Sequence, residues 1–199
     1  VNRMQELIIA TTNEGKLKEF EELMKDVDVE LKSLKEWSDI PAPEETGKTF
    51  AANARQKALY YAKMTGKICI ADDSGLEVQT LKGEPGVRSA RYAGEEADAE
   101  ANNKMLLQTM KFHMKRTCRF RCAIAVANPA GKVLAETEGT CEGMLLHDKL
   151  GEEGFGYDPL FWSTELHKGL GEATMEEKNQ VSHRAKAIKK LCEMWQKIK

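Results

Sequence analysis

The stretch Ile68-Cys69-Ile70-Ala71-Asp72-Asp73-Ser74-Gly75 passes from an apolar triplet into two adjacent acids, a hydroxyl and a glycine. The triplet reads as a buried strand, and the acids then stand where open α/β sheets gather ligands, beyond the carboxyl ends of their strands. Adjacent carboxylates suit a hard divalent cation or an activated water. Read alone, 71–75 also reads as an acidic turn closing a strand. Should the strand continue through the acids, their side chains point to opposite faces and only one can enter a given site. Asp73, with Ser74 beside it, is then the candidate reactive group and Asp72 a supporting acceptor.

Outward from this stretch, the chain alternates strand and helix signals. Leu7-Ile8-Ile9-Ala10 reads as a buried strand, and Leu17, Phe20, Leu23 and Met24 then recur at helical spacing. Residues 27–34 alternate as a second strand through Val27, Val29 and Leu31, and 38–47, holding Pro41 and Pro43, is a loop. Thr49 is placed to cap a helix reaching about Met64, with Phe50, Ala54, Ala58 and Tyr61 on its apolar face and Gly66 past its end. Residues 83–94 are rich in turn formers, and 97–112 predict a helix carrying Ala101, Met105 and Met110. Phe120, Cys122, Ile124 and Val126 alternate as a strand, 128–131 turn, and 133–141 return as the second arm of a hairpin. A glycine-rich loop, 151–159, precedes a last amphipathic helix striped by Val181, Ala185, Ile188, Cys192 and Trp195. The expectation is an α/β fold: a mixed central sheet flanked by helices, with parallel crossovers near the amino terminus, a hairpin lobe in the second half and a cleft between the two lobes.

Composition narrows the function. With 199 residues, 41% hydrophobic and 31% charged, the chain supports a real core as a single two-lobed domain. Thirty Lys and Arg against 32 Asp and Glu leave a formal charge of −2, which offers no basic field for nucleic acid and favours a small ligand. No stretch has the length of a membrane span, and 1–5 carries no apolar signal region, so the cytoplasm is the expected compartment. The five cysteines lack Cys-x-x-Cys spacing, and Cys118 and Cys122, about 13 Å apart along a strand, are out of bridging reach. Reduced, mostly buried thiols are expected.

Four further segments carry chemistry. Thr11-Thr12-Asn13-Glu14-Gly15-Lys16 lies between the first strand and helix, where free backbone N–H groups and the helix dipole favour an anion and Lys16 adds charge. It lacks the leading glycine of a Walker loop, and it also reads as a plain capping turn. Glu45-Thr46-Gly47-Lys48-Thr49-Phe50 leads into Asn53 and Lys57, an i, i+4 pair whose row meets either a phosphate chain or solvent. Gly154-Phe155-Gly156-Tyr157-Asp158-Pro159 lets backbone approach a ligand while a ring stacks on a flat base, although loop aromatics also serve only for packing. Lys178 and Ser182-His183-Arg184, at the entry to the last helix, present donors for a ketone oxygen or a phosphate, or else decorate the surface.

Taken in order, these motifs resemble the Ham1-like inosine triphosphate pyrophosphatase family over nearly the whole chain. Pro85-Gly86 and Ser89-Ala90-Arg91-Tyr92-x-Gly94 add to the match, and Asp72-Asp73-Ser74-Gly75 looks like the bacterial and archaeal branch, while Ala52 departs from the acid often found there. The resemblance implies Mg²⁺-dependent hydrolysis of ITP, dITP and XTP to monophosphate and pyrophosphate by a homodimer. It implies that Thr11, Thr12, Asn13, Glu14, Gly15 and Lys16 cradle the substrate, that Glu45 and Asp73 hold the metal, and that Asp73 takes the proton of the attacking water. Lys57 and Ser74 would touch substrate; Phe155, Gly156, Tyr157 and Asp158 would pack on the nucleoside; Lys178, His183 and Arg184 would contact base or phosphate. Rival readings are a Maf-like nucleotide pyrophosphatase with another base preference and a nucleotide sensor without turnover. Glu45, Asp73 and Lys16 argue against the sensor, which has no need of a metal-held water, and the pairing of 155–158 with His183-Arg184 favours a 6-oxopurine over the Maf-like choice.

Overall fold

Gln5–Ile9 forms strand β1, and its apolar run is completely shielded at Leu7 and Ile8. The computed structural model describes residues 4–96 and 98–198. After β1 come helix α1 (Glu14–Leu23), strand β2 (Val29–Ser33) and helix α2 (Phe50–Thr65). Strand β3 (Cys69–Val78), helix α3 (Ala99–Thr109) and the long strands β4 (Thr117–Ala127) and β5 (Val133–Leu145) follow. The short strands β6 (Phe161–Ser163) and β7 (Lys168–Gly169) precede helices α4 (Met175–Val181) and α5 (His183–Ile198).

All seven strands join one mixed sheet in the order β2-β1-β3-β4-β5-β6-β7. β1 pairs parallel with β2, Gln5 opposite Val29, and with β3, Ile9 opposite Ile70. β5–β6 and β6–β7 are antiparallel, and Asn128 closes the β4–β5 hairpin by donating its N–H to the Lys132 carbonyl. The mixed α/β sheet with amino-terminal crossovers and a later hairpin is thus as expected. Packing divides the chain into two units, Val1–Asp73 with Cys122–Gly139 and Arg184–Lys199, and Ser74–Arg121 with Thr140–His183. The core of the first unit gathers Leu7, Ile9, Phe20, Ile70, Ile124, Ile188, Leu191 and Trp195. That of the second gathers Leu76, Leu106, Met110, Phe120, Leu145, Tyr157 and Phe161.

Helix ends follow local chemistry. Asn13 caps α1 by accepting the Lys16 N–H, Thr49 caps α2 by accepting that of Ala52, and Gly66 ends α2 in the left-handed region at φ 68°. Thr174 and Glu177 close a reciprocal capping box on α4.

Five expectations are corrected. The strand through Ile70 does not give way to an acidic turn at 71–75: it runs on to Val78, because both acids find buried partners and Leu76 and Val78 extend the apolar face. Gly75 suits this run, since a Cβ there would strike the Ser89 hydroxyl and the Gly86 carbonyl. The helix expected from Ala97, which lies outside the described residues, starts at Ala99 behind an Asp98 cap. Met110 is buried as expected, whereas Met105 is 38% exposed: on the helix itself Asn102 and Asn103, two amides with specific partners, share the inner face with Leu106. Val181 belongs to α4 and not to the last helix, because Ser182 breaks the helix in an extended conformation. Part of the expected loop 83–94 winds into a 3-10 turn, Gly86–Arg91.

All five cysteines are reduced thiols, four of them buried, as expected. No helix among the described residues is long and apolar enough to cross a membrane.

Candidate active site

Within the first unit, the two acids of β3 face opposite sides of the sheet. Asp73, 5% exposed, accepts a 2.9 Å hydrogen bond from the Asn53 amide on α2, and the Asn53 carbonyl oxygen accepts the Gly47 N–H at 2.7 Å. Asn53 therefore clips the loop before α2 to the carboxylate. Four residues along the same helix, Lys57 pairs with Glu45 at 2.9 Å. The row Asn53–Lys57 thus faces acids, and its first member is buried.

Asp72 turns to the other face. Lys16 lies 3.2 Å from its carboxylate, Arg184 donates to it at 3.2 Å, and Arg184 also reaches Glu19 on α1 at 2.6 Å. Glu19, Asp72 and Arg184 each expose 2% or less, so this chain of alternating charges is dry. Sealed charges persist only when paired, and here each cation sits against a carboxylate. Glu19 gives a faint sequence signal, an acid four residues before Leu23 on the apolar side of α1.

The electrostatics separate the two acids further. Burial alone would raise the pKa of Asp72, but Lys16, Arg184 and Lys57 together hold it far below the usual carboxylate range. Asp73 goes the other way: burial and the nearby Glu45 charge outweigh Lys57 and the Asn53 hydrogen bond and push it up to about 6. Burial disfavours the Lys57 charge, yet Asp72, Asp73 and Glu45 more than restore it and raise its pKa above the ordinary value.

The loop before α1 offers its groups in the same unit. The Thr11 hydroxyl accepts the Asn13 N–H, Asn13 caps the helix, and Glu14 and Gly15 form its first turn ahead of Lys16. Thr12, Asn13 and Glu14 are exposed.

Ser74, Phe155, Gly156, Tyr157, Asp158, Lys178 and His183 belong to the second unit. Lys178 and Asp158 form a buried ion pair at 2.7 Å, and the Lys178 ammonium lies 4.4 Å from the centre of the Phe155 ring. The Phe155 N–H donates to the same Asp158 carboxylate, folding 155–158 around it. The Tyr157 hydroxyl donates to the Ser89 carbonyl at 2.6 Å. The His183 ring stacks on Phe120 with centres 4.9 Å apart and an angle of 17°. The described residues thus group Asp73, Glu45, Lys57, Lys16, Asp72 and Arg184 in one unit and the nucleoside candidates in the other.

A model of the Ham1 family matches residues 7–194. The chain belongs to the Ham1 family. This Ham1 chain is 48% identical over 194 residues to the dITP/XTP pyrophosphatase of Desulforamulus reducens, covering 96% of each. Two solved structures share its fold closely. The Staphylococcus aureus Ham1 protein superposes with a TM-score of 0.86 at 39% identity, over 98% of this chain and all of the other. A HAM1 protein from Coxiella burnetii gives 0.88 at 35% identity over the same shares.

Proposed function

We propose that this chain hydrolyses the oxopurine nucleoside triphosphates ITP, dITP and XTP to the monophosphate and pyrophosphate, with water attacking the α-phosphorus. The carrying observation is Asp73: a buried carboxylate oriented by Asn53, with a pKa near 6 and a second acid, Glu45, close enough to raise it. The name borne by the relative from Desulforamulus reducens and the family match support the reaction class.

Magnesium fits the donor set. Among the described residues no group of three His, Cys, Asp or Glu could hold a metal, but Mg²⁺ needs only one or two carboxylates when substrate phosphates and water complete its shell. Glu45 and Asp73 would hold it, since their mutual repulsion is the strain a cation relieves. The ion would screen the phosphate charge and polarise the phosphorus.

Asp73, ionised at neutral pH yet more basic than an ordinary carboxylate, would take the proton of the attacking water. Asn53 keeps its oxygens aimed. Lys57 and Lys16 would neutralise the polyphosphate and then the departing pyrophosphate, assisted by the N–H groups that open α1. Asp72 and Arg184 would act as scaffold, holding Lys16 at the head of that helix.

The nucleoside would go to the second unit. Phe155, braced by Lys178, supplies the stacking ring, and His183, fixed on Phe120, or Lys178 would donate to the 6-oxo group. Adenine presents an amino group there, and donor facing donor costs a few kcal/mol, on the order of a hundredfold in selectivity. Ser74, next to the proposed base, would contact the sugar or phosphate.

A panel of nucleotides with product identification tests the reading. ITP, dITP and XTP should release pyrophosphate with Mg²⁺ much faster than ATP does, and chelation should stop turnover. Release of inorganic phosphate and a diphosphate instead would exclude attack at the α-phosphorus. A homodimer in the cytoplasm completes the reading, checked by sedimentation and cell fractionation.

A further inference from the structure

We propose that Asn103 and Tyr157 are positioning residues that set base selectivity by fixing the loop carrying Phe155. The proposal rests on the functional reading above and deepens it.

Local bonds fold the loop on itself. Asp158 accepts the Phe155 N–H at 3.0 Å, the Asp158 N–H returns to the Phe155 carbonyl at 3.1 Å, and Lys178 clamps both the carboxylate and the ring. Gly154 and Gly156 have φ of 74° and 60°, a conformation only glycine adopts without strain, so this hairpin-like turn is committed in shape. Shape is not place. Two side-chain bonds tie the middle of the loop to its surroundings: the Asn103 amide donates to the Gly156 carbonyl at 3.1 Å, and the Tyr157 hydroxyl donates to the Ser89 carbonyl at 2.6 Å.

The anchor points are themselves buried and hydrogen-bonded. Asn103 is 3% exposed, and its neighbour Asn102 grips the Gly86–Arg91 turn and its exit by donating to the Ala90 carbonyl and accepting the Ala93 N–H. The Ser89 hydroxyl accepts the Leu76 N–H at 2.9 Å and donates to the Gly86 carbonyl at 2.6 Å, which joins the turn to the part of β3 that begins at Ser74. α3, the turn and the loop therefore close into one hydrogen-bonded triangle, and burial keeps the Tyr157 phenol protonated as its donor. A stacking ring discriminates only while held within about half an ångström of its productive place. Tyr157 is thus an anchor that faces inward, leaving Phe155 to meet the base.

Tyr157→Phe and Asn103→Ala test this with ITP and ATP as substrates and Mg²⁺-tripolyphosphate as a base-free inhibitor. Each variant should raise KM for ITP about tenfold and cut the ITP preference over ATP by about tenfold, the effect of one lost hydrogen bond in a recognition site. The kcat should stay within about twofold and tripolyphosphate inhibition should not change. A lowered Tm with unaltered KM and preference would mean a merely structural role and overturn the proposal, as would an equal loss toward tripolyphosphate. If Asn103→Ala does not fold, Tyr157→Phe, which removes one oxygen, decides. An active wild type with indifferent variants overturns the positioning alone; a wild type inert toward every oxopurine triphosphate overturns the functional reading and this with it.

Discussion

Asp72 and Asp73 are consecutive on β3, yet Asp72 is bound by Lys16 and Arg184 on one side of the sheet while Asp73 meets Asn53 on the other. Identical side chains one residue apart are driven to opposite ionisation behaviour, Asp72 well below and Asp73 above the usual carboxylate value. The pleat of the strand is the physical cause.

Substituting the two acids should therefore have different consequences. Asp73→Asn is expected to lower kcat by about 10²–10⁴, the range for losing a positioned base, with the Tm little changed. Asp72→Asn removes the carboxylate that Lys16 and Arg184 share, leaving Arg184 with Glu19, and should cost about 3–5 kcal/mol, the penalty for breaking a buried pair. Thermal unfolding beside pyrophosphate release measures both. A destabilised Asp73→Asn with normal turnover per folded molecule would reverse the assignment.

Lys16 should separate binding from chemistry. Lys16→Ala is expected to raise KM for the triphosphate about tenfold or more with a smaller change in kcat, because it would lose the proposed charge-assisted phosphate contact. Initial-rate kinetics on ITP decide, and an unchanged KM would remove Lys16 from the polyphosphate path.

Asn53 has two bonds to lose, one to Asp73 and one from Gly47. Asn53→Ala should reduce kcat about tenfold or more by freeing the carboxylate to rotate. Gly47→Ala should produce a milder version, since a Cβ there would press on the Asn53 oxygen. Parallel kinetics of the two variants test the clip; a full-speed Asn53→Ala would show that Asp73 needs no orienting partner.

The buried thiols predict a loss of stability at alkaline pH. Burial pushes Cys69 up to about 11 and Cys118 up to about 12, from an ordinary 9.0. Above 9 the unfolded chain releases these protons while the folded chain keeps them, so stability falls as pH rises, by about 1.4 kcal/mol per unit per thiol until the folded pKa is reached. Denaturant titrations between pH 8 and 10.5 should show a shallower decline for Cys118→Ala than for the parent. Equal slopes would contradict a raised thiol pKa.

Local signals on the chain were enough to specify β1, α1, α2 and the β4–β5 hairpin, because apolar period and capping residues act within a few positions. The ordered polar motifs likewise marked a Ham1-family protein. Tertiary structure alone decided that β3 continues through its acids, that Glu19 enters the core to meet Arg184, and that Asn102 and Asn103 turn α3 inward. Each of those outcomes depends on a partner nine to 165 residues away, and a polar side chain joins a core only when that partner is there to replace the water it gives up.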